Sequence, residues 1–125
     1  MTQYLSLQDS LTLVKAMGFH LQDAGLLEAA LARPKTSISG EDAYATLSLK
    51  AAALLESVIK NHALIDGNKR IGWLLMVSFL FINGYQHNMG TDVSFDLAIG
   101  VAEGRYELRQ ASQIIEKHLV LRPIA

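Results

Sequence analysis

Twelve consecutive residues, Ile71 to Ile82 (IGWLLMVSFLFI), are all apolar or small, and this run constrains the fold more than any other segment. It is too short to cross a bilayer, which takes about 20 residues of helix. It predicts a buried central helix. Extended back to Asn68, the helix is apolar nearly all round, as expected of a helix surrounded by others, and Asn83-Gly84 supplies its C-terminal stop.

The rest of the chain also reads as helix. Ser6 with Asp9 forms a capping-box pattern ahead of the stripe Leu7, Leu11, Val14 and Met17, which Gly18 ends. Asp23 opens DAGLLEAALARP, and Pro34 falls just past its end. The polar stretch KTSISGEDAY, with Gly40, predicts a loop or irregular strand. Leu47, Ala51, Leu54, Leu55 and Val58 share one face of a strong helix ending near His62. Asp92 is the expected cap of VSFDLAIGVAEG, and the last helix turns Leu108, Ala111, Ile115 and Leu119 inward. Val and Ile follow helical spacing, so little sheet is expected. The expectation is all-α: a compact single domain over residues 1–125, a bundle of about six helices around a buried central helix.

Composition narrows the function classes. The chain has 125 residues, half of them hydrophobic and 18% charged, which argues against disorder. Net charge is -1, and the halves are balanced (five cations and six acids in residues 1–60, six of each in 61–125), so neither direct DNA binding nor membrane attachment is expected. The absence of cysteine excludes a disulfide framework and a thiolate zinc site. MTQYLSLQDS lacks the basic and apolar regions of a signal peptide. The expected location is the cytoplasm.

The chemistry concentrates in HALIDGNKR, residues 62–70, immediately before the apolar run. His62 falls at the end of one helix, and Gly67 and Asn68 at the start of the next. A helix start offers unpaired N–H groups and a partial positive charge, a natural anion site. Gly67 permits close approach of the backbone, and Lys69 and Arg70 add cations suited to phosphate. Across residues 60–70 Lys60, Lys69 and Arg70 outweigh Asp66, three against one, a local +2. Asp66 suits a Mg²⁺ ion shared with phosphates, and His62 can take a proton from a hydroxyl near neutral pH. Together they make a set for phosphoryl or nucleotidyl transfer. Singly, the same residues also read as a helix cap, a turn and a solvated first turn. A site of two metal ligands, His62 and Asp66, is too sparse for a stable transition-metal centre.

The stretch resembles the signature of the Fic/Doc family, HPFxDGNGRxxR in Fic enzymes and closer to HxFxD(A/G)NKR in the Doc branch. GLLEAALARP, GEDAY, KAAALLESVIKNH, FLFINGY and VAEG look similar to the Doc branch as well, so the resemblance runs in order over residues 5–118. Ala63 and Leu64 replace Pro and Phe, Lys69 stands at the second Gly, and Trp73 at the last Arg. The resemblance implies the Fic/Doc fold and a toxin of a type II toxin–antitoxin system. Its implied activity is a kinase-like transfer of the ATP γ-phosphate to a Thr or Ser hydroxyl of elongation factor Tu, arresting translation and growth. It implies His62 as the catalytic base, Asp66 as the Mg²⁺ ligand, and Gly67, Asn68, Lys69 and Arg70, with Lys60 nearby, as the ATP-phosphate grip. It also makes KTSISGEDAY similar to the flap that docks the target. Some Fic proteins inhibit themselves through an (S/T)xxxE(G/N) helix; here Ile99 stands at the Ser/Thr position before Glu103-Gly104, so a separate Phd-type antitoxin is the implied partner. The alternatives are AMP transfer to a protein hydroxyl, favoured by Gly at 69 and Arg at 73, and a non-catalytic helical module binding an anion or partner at the Gly67–Arg70 helix start.

Overall fold

The computed structural model describes residues 1–123. Six helices carry the chain: α1 (Leu7–Ala16), α2 (Ala24–Ala32), α3 (Leu47–Asn61), α4 (Asn68–Ile82), α5 (Thr91–Ala102) and α6 (Leu108–Lys117). Local chemistry sets most of their ends. Ser6 Oγ accepts the Asp9 N–H at 3.1 Å while Asp9 Oδ2 accepts the Ser6 N–H at 3.2 Å, closing the capping box. Asp23 Oδ1 accepts the Leu26 N–H at 3.1 Å, and Thr46 Oγ1 accepts that of Leu49 at 3.1 Å. A short 3₁₀ turn at Arg33–Lys35 contains Pro34 and ends α2.

Two elements start or stop elsewhere than the sequence reading placed them. The α5 cap is Gly90, and Asp92 sits in the first turn, where its charge favours the helix dipole without capping. The last helix ends at Lys117, so Leu119 opens a strand, and it is from that strand that its side chain packs inward against the core.

The sheet content is two small antiparallel pairs. β1 (Ser37–Ile38) and β2 (Glu41–Asp42) form a hairpin whose tip residues Ser39 and Gly40 both have positive φ. β3 (Tyr85–His87) pairs with β4 (Leu119–Leu121), Tyr85 opposite Leu121 and His87 opposite Leu119, tying the end of α4 to the end of α6.

The helix at the centre is α3. Ten of its residues are buried against six of α4, so α3 takes the place that the apolar run Ile71–Ile82 was expected to hold. Size explains the difference. Ala51, Ala52 and Ala53 let α2, α4 and α6 approach α3 from several sides. On α4 the larger side chains Phe81 and Ile82 reach solvent, and the buried stripe is Ile71, Gly72, Leu75, Met76, Phe79 and Leu80. The α3–α4 seam is tight: a Cβ on Gly72 would lie 3.0 Å from Ile59 Cγ1. The seam fixes the end of α3 relative to the start of α4, where the motif lies.

Candidate active site

α3 ends on His62, which caps it with φ 52° and ψ 47°. A left-handed backbone costs an L-residue roughly 1–2 kcal/mol, and such conformations gather at functional sites. The His62 imidazole is exposed and makes no hydrogen bond or ion pair among the described residues. The chain then dips inward. Ala63 and Leu64 are buried, whereas Ile65 and Asp66 are exposed.

Two sets of bonds hold this loop. The connection between α1 and α2 grips one side: Ala63 O accepts the N–H groups of Gln22 (2.8 Å) and Asp23 (3.0 Å), and Ile65 N–H donates to His20 O (3.1 Å). Leu21 and Leu64 form an isolated antiparallel bridge there. The Asn68 side chain grips the other side, accepting the Leu64 N–H at 3.0 Å and donating to Leu64 O at 3.0 Å. Asn68 therefore works mainly as a brace. Its backbone N–H, at the helix start, and the second hydrogen of its amide nitrogen remain for the phosphate grip expected of it.

Gly67 begins α4 with φ 85°, and no side chain caps that helix. Its N–H donates to Asp66 Oδ1 at 2.8 Å, which turns the carboxylate toward the helix start and leaves Oδ2 without a protein partner among the described residues. Lys69 and Arg70 are exposed and, among the described residues, have no ion-pair partner. Two unpaired cations at the positive end of a helix repel it, and an anion there relieves both. The structure thus brings His62, Asp66, Gly67, Asn68, Lys69 and Arg70 together on one loop–helix junction. Lys60 lies on the α3 side of His62, with Nζ 4.0 Å from Glu56 Oε2, and Glu56 is itself held by Arg33 Nη1 at 2.8 Å.

No group of three or more His, Cys, Asp or Glu side chains able to hold a metal occurs among the described residues. The donor set fits Mg²⁺, which takes one or two carboxylates and completes its octahedron with water and phosphate oxygens. Asp66 Oδ2 beside an uncapped helix start offers such a carboxylate.

The Fic/DOC family model matches residues 2–80, which takes in the whole junction. The chain belongs to the Fic/Doc family. It is also 51% identical over 96 residues to the Toxin Doc of Mycolicibacterium smegmatis (strain ATCC 700084 / mc(2)155), 74% of either chain, which places it in the Doc branch. The departures from the Fic signature have structural counterparts in this Fic/Doc chain. Ala63 and Leu64 are both buried under the loop. Trp73 is half-buried with its ring edge-on to His87, centroids 5.3 Å apart, so an aromatic packing contact stands at the position of the last Fic arginine. The flap-like hairpin is anchored to α3: Lys50 Nζ donates to Asp42 Oδ2 (3.0 Å) and to Tyr44 O, and Arg33 Nε donates to Tyr44 Oη (2.9 Å). No helix among the described residues is long and apolar enough to cross a membrane.

The motif reading missed the segment 18–23 that clasps the loop. Its sequence, GFHLQD, looks like an ordinary helix-to-helix connection, and only the fold brings it to the site.

Proposed function

We propose that this chain is the toxin of a type II toxin–antitoxin pair, and that it transfers the γ-phosphate of ATP to a Thr or Ser hydroxyl of a translation factor, elongation factor Tu by family resemblance. The observation that carries the proposal is the braced junction. It sets an exposed imidazole, a half-free carboxylate and two unpaired cations around an uncapped helix start. The 51% identity to a Toxin Doc supports the toxin reading, and Lys69 supports the kinase chemistry over AMP transfer.

His62 accepts the proton of the attacking hydroxyl, a contribution typically worth about 10²–10⁴-fold in rate. The new bond joins that oxygen to the γ-phosphorus. The bond to the β–γ bridging oxygen breaks, ADP leaves, and the proton passes from His62 to water. The N–H groups at the start of α4, with Lys69 and Arg70, hold the oxygens of the transferring group. Asp66 would hold Mg²⁺, which neutralises phosphate charge when bound. A Gly at 69 would leave room for a diphosphate to wrap the helix start and bring the α-phosphate to the nucleophile. The Lys69 side chain fills that room, so the nucleotide lies with its terminal phosphate toward the hydroxyl. The proposed setting is the cytoplasm, with a Phd-type antitoxin as the neutralising partner.

The test is transfer of label to purified elongation factor Tu from ATP labelled at the γ- or at the α-phosphate. Label from the γ position alone is expected, with loss of transfer in His62→Ala and Asp66→Ala. Label from the α position alone would overturn the kinase reading in favour of AMP transfer. No label from either, with His62→Ala as growth-suppressing as the parent, would leave a non-catalytic binding module.

A further inference from the structure

Phe19 lies outside the motif, yet its ring is packed on the residue from which the phosphate-binding helix starts. A Cβ added to Gly67 would lie 2.6 Å from both Cε1 and Cζ of Phe19 and 2.8 Å from Cδ1. Gly67 is thus required twice, by its φ of 85° and by the aromatic ring. The ring is held in turn. Phe19 N–H donates to Val14 O at 3.1 Å, and Gly18, at φ 76°, turns the chain off α1 to bring the ring across. The side chain is half-buried against the core. The next residues, His20 to Asp23, make the backbone bonds that clasp Ala63 and Ile65.

We infer that Phe19 is a positioning residue for phosphate binding: its ring sets Gly67 and, through it, the N–H groups at the start of α4. Gly67 O accepts the first helical bond, from Ile71 N–H at 2.9 Å, so moving Gly67 moves the first turn. An anion held by backbone N–H groups is sensitive to such a shift, because the donors cannot re-aim one at a time as side chains can. The nucleotide part of this inference rests on the phosphoryl-transfer reading; the loop-ordering part does not.

The test uses Phe19→Ala, Phe19→Leu, Gly67→Ala and the double variant Phe19→Ala/Gly67→Ala in the full chain. Amide exchange is followed at residues 64–68, with Leu55 in α3 as internal control, and affinity for ATP with Mg²⁺ is measured by calorimetry. Phe19→Ala is expected to speed exchange in the loop but not at Leu55. It should weaken ATP binding on the order of ten- to a hundredfold, the size of losing about one hydrogen bond to a charged oxygen. Phe19→Leu, which keeps apolar bulk, should recover most of the loss. In the double variant the added Cβ no longer meets the ring, so it should bind ATP better than Gly67→Ala alone, a non-additive result. Phe19→Ala that lowers the melting temperature while loop exchange and ATP affinity stay at the parent's values would overturn the inference, as would strict additivity. If the parent binds no ATP, the phosphoryl-transfer reading falls, and loop exchange in the four variants alone decides for or against Phe19.

Discussion

His62→Gly is expected to make the protein more stable while abolishing its activity. The backbone of His62 is left-handed, φ 52°, and its imidazole is exposed with no hydrogen bond among the described residues, so truncation forfeits almost no contact. The left-handed conformation costs a residue with a Cβ roughly 1–2 kcal/mol and glycine nearly nothing. Glycine loses more chain entropy on folding, about 0.4–1 kcal/mol relative to alanine. The difference leaves a gain near 0.5–1 kcal/mol, a rise of about 2–5 °C in melting temperature for a chain this size. His62→Ala is the control: it keeps the Cβ, and so the strain, while removing the same proposed base. Urea and thermal unfolding of the three proteins should therefore rank Gly above Ala and above the parent, with label transfer lost in both variants. A glycine variant less stable than the alanine variant would show that the left-handed turn is not strained, and the stability argument would fail.

Three further outcomes follow from other parts of the molecule. Lys69→Gly removes a charged donor worth about 1.5–3 kcal/mol, so γ-phosphate transfer should fall roughly ten- to a hundredfold, with any α-label transfer appearing only in this variant. Lys50 is 2% exposed and its partner Asp42 58%, so Lys50→Met, which leaves a carboxylate already in water and takes one donor from Tyr44 O, should cost about 1 kcal/mol, whereas Asp42→Ala, which leaves a buried ammonium with Tyr44 O but without its counter-charge, should cost about 2 kcal/mol by urea unfolding; the reverse order would refute the account. Burial, and then the nearby charge of His118, holds the His87 pKa below its ordinary 6.5, and Met89 N–H donates to its Nδ1. Below pH 6.5 the unfolded chain binds the proton first, so stability should fall as pH drops from 6.5 through the folded-state value, and His87→Asn should flatten that slope in melting temperature against pH.

The features legible in the sequence were those whose causes lie within one turn of chain. Ser6 and Asp9 cap α1 through atoms three residues apart, Asp23 caps α2 the same way, and Gly84 and Gly104 end helices through their own positive φ. Features set by distant partners were not legible. Leu119 continues a helical spacing, but its backbone pairs with His87 across 32 residues, and that pairing decides it is strand. The exchange of central helix has the same origin: hydrophobicity favours α4, while close packing favours the small residues of α3, and hydropathy along one chain does not show who its neighbours are.

The candidate site shows why a motif can be read more easily than its support. His62, Asp66, Gly67, Lys69 and Arg70 are marked by type and spacing, because chemistry dictates the residue at each place. The grip of a helix start, however, is made of backbone N–H groups, and their precision comes from whatever holds the backbone. Here three unrelated devices hold it: the Asn68 amide folded back on Leu64, the strap from Phe19 to Asp23, and the close seam at Gly72 and Ile59 that stops α4 sliding on α3. Only the first lies in the motif. The long apolar run after HALIDGNKR thus has a function beyond burial: it gives the polar junction a helix whose stripe from Ile71 to Leu80 is anchored in the core. The cations at its first turn can then repel the helix dipole without fraying the helix, and the unfavourable charge remains in place for an anion.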